Sequence, residues 1–209
     1  MIKKYNEYIK EQLDHPELDP YGEEDWDEDN LPPILQIAKK QNKPYDQITR
    51  LNCSHQNLTD LEGIENLINL KELYCYDNQL TDLNGIENLI NIKILYCDNN
   101  QLINLNGIEN LINLEILSCY NNRLTNLNGL ENLTNLTHFY CWNNHLTNLN
   151  GLENLINLKY LSCHHNQLTN LNGIENLINL EYLNCSVNNF SDDYEIYLRN
   201  YNKKIRLLI

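Results

Sequence analysis

The sequence is short of positive charge. Its 209 residues carry 15 Lys and Arg against 29 Asp and Glu, a formal net charge of −14. A general nucleic-acid binder needs a basic face that displaces phosphate counterions, so no nucleic-acid partner is expected. Long apolar runs are missing too. None approaches the roughly 18–20 residues of a membrane span, and the amino terminus has no apolar stretch of the kind an export signal carries. No membrane partner is expected, and the location expected is the cytoplasm. Catalytic motifs are also lacking. There is no nucleophile beside a base, no phosphate-cradling glycine loop and no metal-ligand spacing. Neither an enzyme nor a cofactor is expected.

What is present is a period. Cysteine occurs only at Cys53, Cys75, Cys97, Cys119, Cys141, Cys163 and Cys185, each 22 residues from the next. A constant interval is an internal repeat without insertions. Leu70, Leu73, Cys75, Asn78 and Leu80 recur as Leu114, Leu117, Cys119, Asn122 and Leu124, and again as Leu158, Leu161, Cys163, Asn166 and Leu168. The second half returns as well, Leu83, Gly85, Ile86 and Leu89 becoming Leu127, Gly129, Leu130 and Leu133. In phase, six units run 48–69, 70–91, 92–113, 114–135, 136–157 and 158–179, and a truncated seventh starts at 180. The chain divides into an acidic amino-terminal segment with a helical cap (1–47), the repeats (48–190) and a carboxyl-terminal helical cap (191–209).

The pattern L-x-x-L-x-C-x-x-N-x-L over residues 48–190 resembles the leucine-rich-repeat signature, with cysteine in the third apolar slot. The 22-residue unit is similar to the short-repeat subclass of bacterial internalins and of a regulatory subunit of protein phosphatase 1. The resemblance implies an α/β solenoid, a horseshoe with a parallel sheet of about seven strands on its concave face. It leaves the partner open, because that fold serves many, and regulating an enzyme is one such role. Internalin-like units often carry proline where Gly85 and its equivalents sit. That difference and the cysteine ladder point away from a close secreted internalin relative.

Within a unit, Leu73 and Cys75 alternate with Glu72, Tyr74 and Tyr76, the period of a strand. Stacked units place these strands about 4.8 Å apart, so seven give a concave surface roughly 30 Å long. Leu80, Leu83, Ile86 and Leu89 return the chain and fill the same core. Asn78, Asn100, Asn122, Asn144, Asn166 and Asn188 follow the strands and are expected to satisfy backbone groups freed at the turn. Gly85 and its equivalents mark a backbone geometry that a Cβ would obstruct. The column Glu65, Glu87, Glu109, Glu131, Glu153 and Glu175 reads as a solvated convex face. The cysteines read as small core side chains with reduced thiols, since parallel side chains on stacked strands do not converge on one another or on zinc.

A solenoid needs both ends covered. Residues 31–43, with Pro32 and Pro33 near the first turn, are expected to form a short helix. Ile2, Tyr5, Ile9 and Leu13 fit one face of another, and the nine acidic residues within 14–29 read as a solvated run. Ser191 and Asp192 open a helix expected to reach Asn202, with Ile196 and Leu198 covering the last unit. The tail Arg206–Ile209 is assigned to that cap, a dimer contact being the alternative; a monomer is expected.

The outward positions carry the functional reading. Tyr74, Tyr96 and Tyr140 share one column. Tyr76, Tyr120, Trp142 and His164 share the next, and Tyr160 and Tyr182 the one before. The core pattern does not require them, and rigid aromatic side chains dominate binding hot spots. Their other role is to support the sheet by cross-strand packing. His138, His145, His164 and His165 gather beside Trp142 and join the surface without a fixed metal geometry. Asp77 and Asp98 add negative charge, which points to a protein partner with basic and apolar groups. The expected function is protein binding through this face; the rival is a structural protein that assembles edge to edge.

Overall fold

The computed structural model describes residues 31–194, 196 and 206–209. A helix α1 (Pro33–Lys39) leads into eight three-residue strands: β1 (Arg50–Asn52), β2 (Glu72–Tyr74), β3 (Ile94–Tyr96), β4 (Ile116–Ser118), β5 (His138–Tyr140), β6 (Tyr160–Ser162), β7 (Tyr182–Asn184) and β8 (Arg206–Leu208). They form one parallel sheet in sequence order. From β1 to β7 each residue lies beside the one 22 later, as Leu73 lies beside Leu95. This is a solenoid, and the repeat is its register.

Each turn buries the same set. Leu70, Leu73, Cys75, Leu80, Leu83, Ile86 and Leu89 are no more than 1% exposed, and their equivalents extend one continuous core. Burial of a large aliphatic side chain is worth about 1.5–3 kcal/mol, and each unit collects it only against its neighbours. All seven cysteines are buried. Desolvation raises the thiols of Cys53, Cys75, Cys97, Cys119, Cys141 and Cys163, that of Cys53 to about 12. Some donate weakly to a neighbouring strand, as Cys97 Sγ does to the Ser118 carbonyl at 3.3 Å.

The asparagine column does what its position predicts. The Asn100 amide donates to the carbonyls of Cys75 (3.0 Å), Cys97 (3.1 Å) and Asp98 (3.0 Å), and its Oδ1 accepts from the Leu80 N–H at 2.9 Å. Each amide therefore fastens its own turn to the preceding one. The glutamate column differs from expectation. Glu109 accepts from the Gly107 N–H at 2.8 Å, and Glu131, Glu153 and Glu175 repeat the bond on Gly129, Gly151 and Gly173. The carboxylate is thus a backbone acceptor on a glycine held at positive φ, +101° at Gly107, besides facing solvent.

At the amino-terminal end, α1 buries Ile34, Leu35 and Ala38 against the first unit. Gly63 makes room for it, since a Cβ there would lie 2.8 Å from Leu35 Cγ. The segment expected to be helical over 31–43 is helical over the shorter span Pro33–Lys39, with Pro33 as its first residue. The helix expected around Ile2–Leu13 and the acidic run 14–29 lie outside the described residues. At the other end residues 192–194 and 196 are helical, and the Ser191 hydroxyl accepts from the Tyr194 N–H at 3.3 Å. The rest of that expected helix, with Leu198, lies outside the described residues. The tail departs from a purely helical cap. Arg206–Leu208 adds an eighth strand, pairing Tyr182 with Arg206 and Leu183 with Leu207, so the sheet exceeds the expected seven. The free backbone edge of β7 supplies the reason, because it finds ladder partners there. Among the described residues no helix is long and apolar enough to cross a membrane.

Candidate functional site on the concave face

The parallel register turns sequence positions into columns. The first outward column runs Arg50, Glu72, Ile94, Ile116, His138, Tyr160, Tyr182 and Arg206. The second runs Asn52, Tyr74, Tyr96, Ser118, Tyr140, Ser162, Asn184 and Leu208. Just beyond the strands, backbone bonds such as Asn99 N–H to Tyr120 O (3.0 Å) and Asn121 N–H to Trp142 O (3.1 Å) continue the ladder. They hold a third column of Tyr76, Asp98, Tyr120, Trp142 and His164.

Neighbouring rings in a column stack. Tyr120 and Trp142 are 4.2 Å apart and 9° from parallel, and Trp142 and His164 5.0 Å and 13°. In the second column Tyr74 and Tyr96 stack at 5.3 Å; in the first, His138 and Tyr160 stack at 4.6 Å, with Tyr182 tilted beyond. These separations are close to the strand spacing. The rings therefore spend their faces on one another, and their edges, hydroxyls and ring nitrogens are what remains for a partner. All are half-buried. Such stacks freeze the side chains before any partner arrives, which lowers the entropic cost of binding.

Two cations finish these columns. The Arg50 guanidinium lies 4.8 Å from the Tyr74 ring centre, and that of Arg206 lies 5.9 Å from Tyr182. Neither arginine stood out in the sequence. Arg50 lies one period before Glu72, a usable signal, whereas Arg206 lies 24 residues after Tyr182, off the period. Glu72 joins the first of these contacts, accepting from the Tyr74 hydroxyl at 2.9 Å and lying 3.5 Å from Arg50.

Asp98 is not the exposed acidic contact the sequence led us to expect. It is 3% exposed, and its carboxylate accepts from the hydroxyl of Ser118, itself 1% exposed. In their columns these two short residues stand between large rings: Asp98 between Tyr76 and Tyr120, Ser118 between Tyr96 and Tyr140. The bulkier neighbours close over them. Burial pushes the Asp98 carboxyl up to about 6, against the pull of the Ser118 hydroxyl bond. The acidic groups that do reach the rim are Glu72, paired as above, and Asp77, 3.5 Å from His55.

The histidines divide between columns. His138 belongs to the first and His164 to the third, and His165 meets the His164 ring edge-on at 5.4 Å. His145 Nδ1 lies 3.5 Å from the Gln167 amide. Burial lowers both His138 and His164, which favours their neutral form. Among the described residues no three His, Cys, Asp or Glu side chains gather as metal ligands would.

A family model described as Leucine Rich repeats (2 copies) matches residues 46–88, 68–111, 112–154 and 156–205. An internalin C2 of Listeria monocytogenes is a similar solved structure, 32% identical with a TM-score of 0.73, the match covering 76% of this chain and 75% of that one. Another internalin of that organism (inlF) is 29% identical with a TM-score of 0.69, over 71% of this chain and 44% of its own. A leucine-rich-repeat protein of Leptospira interrogans is 31% identical with a TM-score of 0.66, over 70% of this chain and 38% of its own. The chain thus spans less than half the length of the last two. Internalins are therefore among its structural neighbours, although the glycine column and the cysteine ladder pointed away from a close one. No curated protein matches by sequence.

Proposed function

From the premise that the chain belongs to the leucine-rich-repeat family, we propose that it binds a protein partner through the aromatic columns of its concave face and catalyses nothing. Members of this family commonly serve as protein-interaction modules. The observation that carries the reading is the Tyr120–Trp142–His164 stack, three rings ordered on the open side of the sheet at positions the core does not use. Cross-strand packing accounts for stacking, but not for choosing large aromatics with polar edges where Ile, Thr or Val would serve the sheet equally.

With the Asp98 carboxylate buried and the neutral form favoured for both histidines, the middle of the face exposes little charge. The complementary partner surface is apolar, with donors and acceptors for tyrosine hydroxyls; a basic group has a place only near Glu72 and Asp77. Seven buried thiols need reducing surroundings for any transient opening to stay harmless, which supports an intracellular location.

The test compares capture of partners from the native cell by the wild-type protein and by a Tyr140→Ala/Trp142→Ala double variant. Specific capture falls at least tenfold in the variant while its thermal midpoint stays within a few degrees of wild type. Capture that survives the double change removes the concave face from consideration.

A further inference from the structure

The flank leading into the strands carries a second pattern, independent of the concave face. One column there reads Ile68, Ile90, Ile112, Thr134, Ile156, Ile178. Its isoleucines are 56, 51, 53, 48 and 81% exposed, although the core is complete without them. Three residues further along the chain at each level, a second column reads Lys71, Lys93, Glu115, Thr137, Lys159, Glu181. Between them, asparagine amides donate to the preceding turn, as Asn135 does to the Ile112 carbonyl and Asn157 to that of Thr134, both at 2.9 Å. Lys93, Glu115, Thr137, Lys159 and four of these asparagines line a groove of about 430 Å³ centred on Thr137. Single exposed apolar residues need no explanation, but a straight ladder of them beside a groove marks an interaction surface.

Both columns change to threonine at the same level of the stack, at Thr134 and Thr137, three residues apart. About that level the isoleucine column is symmetric and the charged column complementary. Reversing the flank about Thr137 brings Lys93 opposite Glu181, Glu115 opposite Lys159 and Thr137 opposite itself. The same reversal about Thr134 brings Ile90 opposite Ile178 and Ile112 opposite Ile156. Moving the centre by half a unit opposes Lys93 to Lys159 on one side and Glu115 to Glu181 on the other. Moving it by a whole unit sets Glu115 or Lys159 against its own copy. Of the antiparallel registers, the threonine-centred one sets the most opposite charges together with no like pair, Lys71 taking no part in it, and a residue on a two-fold axis, which meets itself, is best uncharged.

We infer that this flank is the contact between two copies of the chain, packed antiparallel about a two-fold axis through Thr134 and Thr137. Isoleucine meets isoleucine along one side, and the alternating charges interleave along the other. The Lys93–Glu115 (2.7 Å) and Lys159–Glu181 (3.9 Å) pairs within one copy are half exposed, so each gains neighbours of opposite sign without losing its own. The five paired rungs span four strand spacings, roughly 19 Å. That is a small interface, below the roughly 800 Å² per partner of stable complexes, so the dimer is weak and forms at high protein concentration. The concave face remains open in it.

Sedimentation equilibrium over a wide concentration range tests this. Wild-type protein shifts from monomer toward dimer as concentration rises, and salt weakens the shift. Glu115→Lys alone and Lys159→Glu alone each set like charges together twice in a homodimer, so each stays monomeric. An equimolar mixture of the two variants restores opposite charges at both contacts, and dimer reappears. Thermal unfolding midpoints near wild type show that both variants are folded. A wild type that stays monomeric at the highest concentration, single variants that dimerise as it does, or a mixture that does not associate would each overturn the inference.

Discussion

Ser118 donates its hydroxyl to the Asp98 carboxylate across the β3–β4 boundary, beneath the rings of Tyr96, Tyr120 and Tyr140. The bond joins two adjacent outward columns diagonally, and it exists because each column holds one short side chain between tall ones. It explains how an acid survives on a face otherwise built of rings.

This arrangement makes stability depend on pH through Asp98. Its folded value, about 6, lies above the ordinary 3.8, so the fold favours the protonated carboxyl. The stabilising contribution is fully present below pH 4, declines as pH rises from about 4 to 6, and is gone above. Two units correspond to at most about 3 kcal/mol. Asp98→Asn should abolish that component, leaving the variant as stable at pH 7 as at pH 5 relative to wild type's decline. Urea unfolding of both proteins across this range gives the difference directly; an unchanged difference curve would count against the buried-acid account.

Removing one rung of the asparagine ladder should be costly. Asn122 donates to the carbonyls of Cys97, Cys119 and Tyr120 and accepts from the Leu102 N–H at 3.0 Å, all near the core. Asn122→Ala leaves several buried backbone groups without partners, for a loss of about 2–4 kcal/mol. Asn188, part-buried in the truncated seventh unit, should cost less when changed to alanine. Chemical denaturation ranks the two.

The backbone at Gly151 admits no side chain without distortion. Its φ is +105°, and a Cβ would lie 2.9 Å from the Leu127 carbonyl oxygen of the preceding unit. Gly151→Ala should destabilise by about 2 kcal/mol or more, from positive φ and the clash together. The contact is with backbone and cannot rotate away. A thermal midpoint within one degree of wild type would contradict it.

Native protein should react slowly with a thiol reagent such as Ellman's. The thiols are buried, and desolvation holds Cys53 at about 12 and Cys75, Cys97, Cys119, Cys141 and Cys163 above the ordinary value. In denaturant all seven should react within seconds. Reaction under native conditions should follow the rate or extent of unfolding, not the pH of the free thiol. Several fast-reacting groups in the folded protein would mean that the ladder is open to solvent.

The sequence by itself determined the solenoid. An unbroken 22-residue period can be satisfied only by identical turns stacked in register, and that rule alone located the core, the cysteine ladder, the asparagine rungs and the three outward columns. Tertiary structure decided what depends on neighbours rather than on position. Asp98 occupies an outward site by alternation, yet Tyr76 and Tyr120, one period to either side, close over it. Whether an outward side chain is exposed is set by the height of the side chains beside it. Arg206–Leu208 became an eighth strand because the edge of β7 offers unpaired backbone groups, and the two extra residues that bring it there break the period that revealed the rest. The glutamates looked like a solvated row because the period shows a charge; only the left-handed glycines, turning their N–H groups toward the carboxylates, gave that charge a partner.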